Sequence, residues 1–257
     1  MTKPKDSITD WYAALEERHL RQLSFQEVRR AVQALSQIYV QKRDRLSTGA
    51  ALGGAGKRAA FALFYGPIHL LFLRQVIEQL EVDASSVRSV LDLGCGTGVG
   101  AAAWALATQT TPQVTGVDIN PWATGEALWN YRYFGLEAQT KKADASRVLR
   151  SSSADLIISA YATNELSDPG RGELLKQLQS AAHKGSAVLI IEPIAKRQLP
   201  WWPQWCEALE ALGGQSKEWS LHLDMPDRLA LLDKASGLNH RVMKGRTLWV
   251  PGKKATA

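Results

Sequence analysis

The sequence predicts an α/β fold: a doubly wound, mainly parallel, seven-stranded sheet with an N-terminal helical extension. Three observations predict it. From about Val87 onward, short Val-, Ile- and Leu-rich runs alternate with stretches of helical periodicity, and βαβ alternation of this kind builds a parallel sheet with helices on both faces. Within that region, Val90-Leu91-Asp92-Leu93-Gly94-Cys95-Gly96-Thr97-Gly98 carries a strand into closely spaced glycines and then an alanine-rich helix. Ahead of it, the chain shows helical periodicity and no strand pattern. The expected division is therefore a helical region over 1–86 and an α/β domain over 87–257.

In chain order, Ser24-Phe25-Gln26-Glu27 reads as a capping box, in which the serine serves the third amide and the glutamate reaches back. Val28, Val32, Leu35 and Tyr39 then share a helical face, with Arg29, Arg30, Lys42, Arg43 and Arg45 around it. A small-residue loop, Gly49 to Gly56, leads to an apolar stretch from Ala59 to Leu80 that is interrupted at Gly66-Pro67. Proline has no amide donor and disfavours helix in the residue before it, so a kink or two helices are expected there. The most apolar part, Ala59 to Leu73, is short for a bilayer span and reads as a buried helix pair.

Strands are expected at Ser89–Leu93, Val114–Ile119, Ala138–Ala143, Ala154–Tyr161 and Ala187–Ile191. Helices are expected at Trp122–Phe134, from Asp168 to about His183, at Trp201–Leu212 and at Pro226–Ser236. Asp168-Pro169 looks like an N-cap followed by proline at the first helical position. Leu238–Met243 and Arg246–Val250, joined across Lys244-Gly245, read as a terminal hairpin.

Composition narrows the class. The chain has 257 residues, 45% of them hydrophobic, with nine tryptophans, which argues against global disorder. A net charge of +6 fits a polyanionic partner as well as an ordinary basic surface. Two cysteines, Cys95 and Cys206, cannot build a disulfide framework or a four-thiolate metal site, and a reducing cytoplasmic setting is the simplest expectation. Met1 to Asp10 is polar and lacks the apolar core of a signal peptide. His69, His183 and His222 are scattered without ligand spacing, so no metal is expected.

Three readings compete for the glycine loop. A dinucleotide fingerprint needs a third glycine where Val99 stands, and a P-loop needs a Gly-Lys-Ser/Thr ending that is absent. The third fits without repair: Asp92-Leu93-Gly94-Cys95-Gly96-Thr97-Gly98 resembles motif I of class I S-adenosylmethionine (SAM)-dependent methyltransferases, which have a Rossmann-like fold. The resemblance implies that Gly94, Cys95, Gly96, Thr97 and Gly98 pass under the methionine part of SAM and that Asp92 orients its amino group. It also implies that Asp118, in Gly116-Val117-Asp118-Ile119, accepts from the ribose hydroxyls. Ile119 would then pack on adenine, Asp144-Ala145 would meet the adenine amino group, and Ala160 would line the cofactor.

Methyl transfer is an in-line displacement that needs positioning and exclusion of water, with a base only where the nucleophile must lose a proton. The acceptor side should follow the fourth strand, at Ser159-Ala160-Tyr161-Ala162-Thr163-Asn164-Glu165-Leu166. No Asn/Asp-Pro-Pro-aromatic motif stands there and no Pro-Cys nucleophile occurs. Tyr161, Asn164 and Glu165 are the candidate catalytic residues. For Asn164 and Glu165 the alternatives are a turn cap and a solvated carboxylate. Glu192-Pro193 either touches the same pocket or ends the fifth strand. Trp201-Trp202-Pro203-Gln204-Trp205, beside Lys196 and Arg197, could stack on bases or form a lid, but tryptophan burial favours packing.

The segment Ser159–Leu166, with Ile190-Ile191-Glu192-Pro193 and an N-terminal Phe64-Tyr65-Gly66-Pro67, is similar to the mitochondrial small-ribosomal-subunit methyltransferase-like assembly family and its bacterial relatives. That resemblance implies RNA or a ribosomal precursor as partner. Here Ile194-Ala195-Lys196-Arg197 replaces the family's Gly-Thr-Pro continuation, and two cysteines cannot supply the iron–sulfur cluster of its mitochondrial members. An RNA-directed methyltransferase leads. A methyltransferase of a protein or small molecule, and a non-catalytic SAM-binding assembly factor, are the alternatives.

Overall fold

The computed structural model describes residues 4, 7–41, 53–149, 153–194 and 199–252. The basic residues Lys42, Arg43 and Arg45, the start of the loop at Gly49, and Ala195-Lys196-Arg197 lie outside the described residues. Two compact units emerge. One comprises Asp6–Phe72 and Leu221–Met243; the other comprises Met1–Lys5, Leu73–Ser220 and Lys244–Ala257.

The first unit is helical. Helix α1 (Ile8–His19) begins at Ser7, whose Oγ accepts from the Asp10 amide at 3.2 Å. Helix α2 (Phe25–Gln41) carries the expected capping box: Ser24 Oγ accepts from the Glu27 amide at 3.3 Å and Glu27 Oε2 accepts from the Ser24 amide at 2.7 Å. Val28, Val32 and Leu35 are fully buried; the side chain of Tyr39 lies outside the described residues.

The apolar stretch does not break at Gly66-Pro67. Helix α3 (Ala55–Ala60) passes through a π-turn, Phe61–Tyr65, into α4 (Gly66–Gln79). Pro67 cannot bond the carbonyl one turn back, and that carbonyl, Leu63 O, accepts from the Tyr12 hydroxyl at 3.1 Å instead. The interruption is absorbed by a change of winding and a side-chain donor. The run Ala55–Gln79 is 25 residues, long and apolar enough to cross a bilayer by those two measures, yet 78% of its most apolar window is buried within the protein. Core helices share that character.

Helix α10 (Asp227–Ser236) belongs to the same unit, and Arg228 there sits 4.1 Å from the Phe25 ring centre and pairs with Glu16. Beyond it, His240 Nδ1 meets Asp233 Oδ1 at 2.6 Å. His69 is held neutral, its pKa pushed down to about 3 by burial and then by His240.

The second unit is the sheet. Its strands are β1 (Ser89–Leu93), β2 (Gln113–Asp118), β3 (Ala138–Lys142), β4 (Leu156–Ala160), β5 (Ala187–Pro193), β6 (Gln215–His222) and β7 (Val242–Val250), in the order β3-β2-β1-β4-β5-β7-β6. The ladders β2–β3, β1–β2, β1–β4 and β4–β5 are parallel, and β7 runs antiparallel to β5. The expected doubly wound, mainly parallel, seven-stranded fold is therefore present.

Leu91, Ile157, Val188, Ile190 and Leu248 pack on one face with Trp201, Trp202 and Trp205 of the turn and helix α9 (Trp202–Glu210). The three tryptophans are buried, so the aromatic segment is core. On the other face lies helix α5 (Val99–Thr108), where Trp104 meets Trp249 at 5.9 Å between ring centres. Helix α6 (Pro121–Tyr133) follows β2 and helix α8 (Asp168–His183) follows β4.

Three local expectations are corrected. Helix α8 is capped by Ser167, whose Oγ accepts from the Gly170 amide at 3.3 Å, which puts Pro169 one position further in than expected. The terminal hairpin does not form: β7 runs unbroken through Lys244-Gly245, and Gly245 pairs with Pro193 at the end of the ladder. The seventh strand is β6, whose sequence is polar because it lies at the sheet edge and mostly faces solvent. Its one buried anchor, Trp219, donates from Nε1 to Thr247 Oγ1 at 3.0 Å.

Candidate active site

In an open α/β sheet, ligands bind outside the carboxyl ends of the strands where the order reverses, here between β1 and β4. The turn after β1 is built to expose backbone. Gly94, Gly96 and Gly98 all have positive φ, at +62°, +52° and +81°, conformations that side-chain-bearing residues rarely adopt. The turn is pinned from below: Cys95 N–H donates to Val117 O at 3.0 Å, and Asn130 Nδ2 donates to Thr97 O at 2.8 Å. A Cβ at Gly94 would fall 2.3 Å from Ala162 Cβ, so this turn and the turn after β4 touch. A Cβ at Gly96 would meet nothing within 4 Å, leaving open space above its backbone.

Asp92 is 1% exposed. Its Oδ2 accepts from the Ala101 amide at 2.9 Å and from the Tyr131 hydroxyl at 2.8 Å. Burial raises its pKa to about 7, with Asp118 adding to the push and the two hydrogen bonds opposing it. Asp92 therefore ties β1 to α5 and α6, as well as lying under the loop. Tyr131 was not singled out from the sequence, yet its ring fills the space beside Gly98 and Gly116, where an added Cβ would come within 2.8 Å and 3.0 Å of it. Its only sequence signal was a tyrosine on the inner face of α6.

Asp118 ends β2. Its Oδ2 accepts from Gly96 N–H at 3.0 Å and its Oδ1 from Asn120 N–H at 2.8 Å, and a carboxylate has about four acceptor sites, so each oxygen retains capacity for a hydroxyl. Ile119 beside it is 67% exposed, an unusual position for a large apolar side chain. Asp144 caps the short helix α7 (Ala145–Val148) through Oδ1 to the Ser146 amide at 2.9 Å. Space over Gly96, a diol-sized acceptor at Asp118 and an exposed apolar surface at Ile119 together fit an adenosyl ligand.

The ends of β4 and β5 form the other half. Tyr161 follows Ala160 with φ +58°, and its amide donates to Ile191 O at 2.9 Å. A tyrosine in the left-handed region is strained, and such strain clusters at functional turns. Burial and the neighbouring Glu192 push its phenol pKa upward. Thr163 is fully buried, with Oγ1 3.1 Å from Ser159 Oγ. Asn164 and Glu165 are exposed. Surrounding protein and then Asp118 raise the Glu165 carboxyl to about 7, and water on its open side offsets part of that push.

Glu192, read from the sequence as either touching the pocket or ending the strand, is 0% exposed. Its Oε1 accepts from the Asn164 amide at 3.2 Å, and its Oε2 is buried without a partner among the described residues. Burial raises its pKa to about 8; Glu165 adds to this, while the bonds from Asn164 and Thr163 oppose it. The structure thus brings Tyr161, Asn164 and Glu165 together with Glu192 at one edge, beside Gly94 and Asp118. The sequence signal for Glu192 was a charged residue closing an otherwise apolar run. A groove of about 530 Å³ runs along β1, β2 and β3, lined by Val90, Leu91 and Val114 as well as by Gln113, Gln139 and Lys141.

A family model described as a methyltransferase domain matches residues 64–221. No curated protein matches the chain. Among solved structures, an O-methyltransferase family protein from Burkholderia thailandensis is similar at 15% identity with a TM-score of 0.52, over 94% of this chain and 77% of that one. The N-methyltransferase NodS from Bradyrhizobium japonicum WM9, solved with S-adenosyl-L-homocysteine, is similar at 16% identity and a TM-score of 0.48, over 69% of this chain and 87% of that one. A SAM-dependent methyltransferase from Aquifex aeolicus is similar at 16% identity and a TM-score of 0.46, over 71% and 92%. At these identities the likeness is one of fold.

Proposed function

The chain belongs to the methyltransferase domain family, and from that premise we propose that this SAM-dependent methyltransferase acts on RNA, with small-subunit ribosomal RNA as the first acceptor to test. SAM supplies an electrophilic methyl group on a sulfonium. The glycine turn would hold its methionine part, Asp118 its ribose, and Ile119 with Asp144-Ala145 its adenine. The work left to the chain is to position an acceptor beside Ala160-Tyr161 and to keep water out.

The observation that carries the RNA reading is charge at the site's own edge. Lys141, Lys142 and Arg147 are exposed at the end of β3 and in α7, and Lys142 stands in register with Asp118. With a net charge of +6, these cations favour a polyanionic acceptor. The resemblance of Ser159–Leu166 and Ile190–Pro193 to the small-ribosomal-subunit family supports the same reading.

The test begins with calorimetry of SAM binding. Asp118→Ala is expected to weaken it about 100-fold, because charge-assisted bonds to two hydroxyls are lost; unchanged affinity sinks the ribose assignment. Incorporation of labelled methyl into small-subunit RNA is then expected. The triple variant Lys141→Ala, Lys142→Ala, Arg147→Ala should bind RNA more weakly, with a salt dependence shallower by about two, since each lost single-strand phosphate contact removes about 0.7 from the slope. An unaltered slope would remove this edge from the RNA interface.

A further inference from the structure

Glu192 is a charged-type residue set in a strand whose other buried members are apolar, Ala187-Val188-Leu189-Ile190-Ile191. Placing a carboxyl there has a cost unless both oxygens are served. Among the described residues only one is: Oε1 takes the Asn164 amide, and the Thr163 amide and hydroxyl also bond the carboxyl, while Oε2 has no hydrogen-bond partner. A cation stands close in the ladder, because Arg246 pairs with Glu192 across β5–β7. Its Nη2 goes elsewhere, to Ile194 O at 2.7 Å and to Glu218 at 3.4 Å, and the guanidinium lies 5.4 Å from the Trp202 ring centre, while Nε is buried with no partner among the described residues. Among the described residues, the fold therefore leaves a buried carboxyl oxygen open while the arginine paired with it in the ladder makes its hydrogen bonds elsewhere.

The surroundings indicate what the open oxygen takes. The groups facing it are Tyr161 and Glu165 from the turn after β4, the Thr163 amide and hydroxyl, the Asn164 amide, and, across the ladder, Arg246 from β7. Tyr161 adds backbone strain at the same spot. Gly94, touching Ala162, brings the glycine turn alongside. Two neighbouring carboxyls repel a phosphate or carboxylate and have too many acceptors for a lone hydroxyl, which donates once. A nitrogen group with two or more N–H donors, or a positive charge, serves both.

From this geometry we infer that Glu192 Oε2 is the point at which the enzyme holds a nitrogen of its methyl acceptor, an N–H-bearing amino, imino or amidine group. The inference rests on the methyl-transfer reading of this site. Joined to the RNA reading, it selects a base nitrogen over a ribose hydroxyl. Glu192 acts as a positioning and specificity residue. Before the acceptor arrives it keeps a proton, consistent with a carboxyl that burial raises to about 8, and it releases that proton to solvent as the N–H group binds, so that Oε2 accepts in the complex.

The test uses the full-length protein with Glu192→Gln and Glu192→Asp. Infrared difference spectra of the wild type against Glu192→Gln at pH 6.5, without acceptor, should show a protonated carboxyl band that fades toward pH 9. An ionised Glu192 at pH 6.5 overturns the inference, because a buried carboxylate of that kind already has its donor. S-adenosyl-L-homocysteine affinity should be the same in Glu192→Gln; a loss there would make the residue merely structural. With small-subunit RNA as acceptor, Glu192→Gln should raise KM about tenfold or more, with partial recovery in Glu192→Asp. Nucleosides from the labelled RNA should carry methyl on a base nitrogen. Ribose-O or carbon methylation overturns the inference and leaves the RNA reading standing. Unlabelled RNA overturns the RNA reading, and the infrared and homocysteine-analogue results then decide the inference by themselves.

Discussion

The two halves of the strand-end edge are built on opposite plans. At the ends of β1 and β2, Asp92 and Asp118 accept donors from the chain itself, and the glycine turn is held from below by Val117, Asn130 and Tyr131. At the ends of β4 and β5, a tyrosine sits in a strained conformation and a buried glutamate keeps one oxygen open. The difference teaches that the half at β1 and β2, the proposed donor side, is held in place by internal bonds. The half at β4 and β5 carries unfavourable terms of the kind a bound ligand could relieve.

The largest way to sharpen that contrast is through pH. Glu192 has a folded pKa of about 8 against an ordinary 4.5, so the folded state binds its proton more tightly than the unfolded chain does. The stability this contributes is complete below about pH 4.5 and is lost as pH rises through about 8, an effect on the order of 4 kcal/mol. Chemical unfolding of Glu192→Gln from pH 5 to 9 should show that part of the decline removed. An identical decline in variant and wild type would break the contrast.

A smaller effect separates two glycines in one turn. Gly94→Ala meets Ala162 and an unfavourable φ, and should cost about 3 kcal/mol of stability by denaturant titration. Tyr131→Phe, on the preorganised side, should cost about 1.5 kcal/mol by leaving Asp92 Oδ2 one donor short. Gly96→Ala has open space and only its φ to overcome, so a fold penalty of about 1 kcal/mol is expected. Its SAM affinity should nonetheless fall at least tenfold by calorimetry, because the new methyl occupies ligand space. Equal stability losses in the two glycine variants would contradict the reading of the space above Gly96.

Much of the donor side was legible in the sequence because its requirements are local. Positive φ at three positions demands glycine within a few residues of a strand end, and Asp118 closes an apolar run that periodicity alone locates. The mainly parallel character of the sheet was implied by βαβ alternation for the same reason. What was misread is also physical. Lys244-Gly245 has the chemistry of a turn, but the antiparallel ladder with β5 keeps it extended. Gln215–His222 lacks apolar alternation because an edge strand needs only one buried anchor. Gly66-Pro67 has the chemistry of a break, yet a distant tyrosine supplies the missing donor to Leu63.

By itself, then, the sequence determined the class of fold and the glycine turn after β1, since each depends on neighbours a few positions apart. The tertiary structure alone decided that Tyr131 braces Asp92, that Leu221–Met243 clusters with the N-terminal helices, and that Glu192 is buried with an open oxygen while Arg246 makes its hydrogen bonds elsewhere. Those facts depend on which groups meet across the folded chain, and burial and partnering are properties of the meeting rather than of either residue.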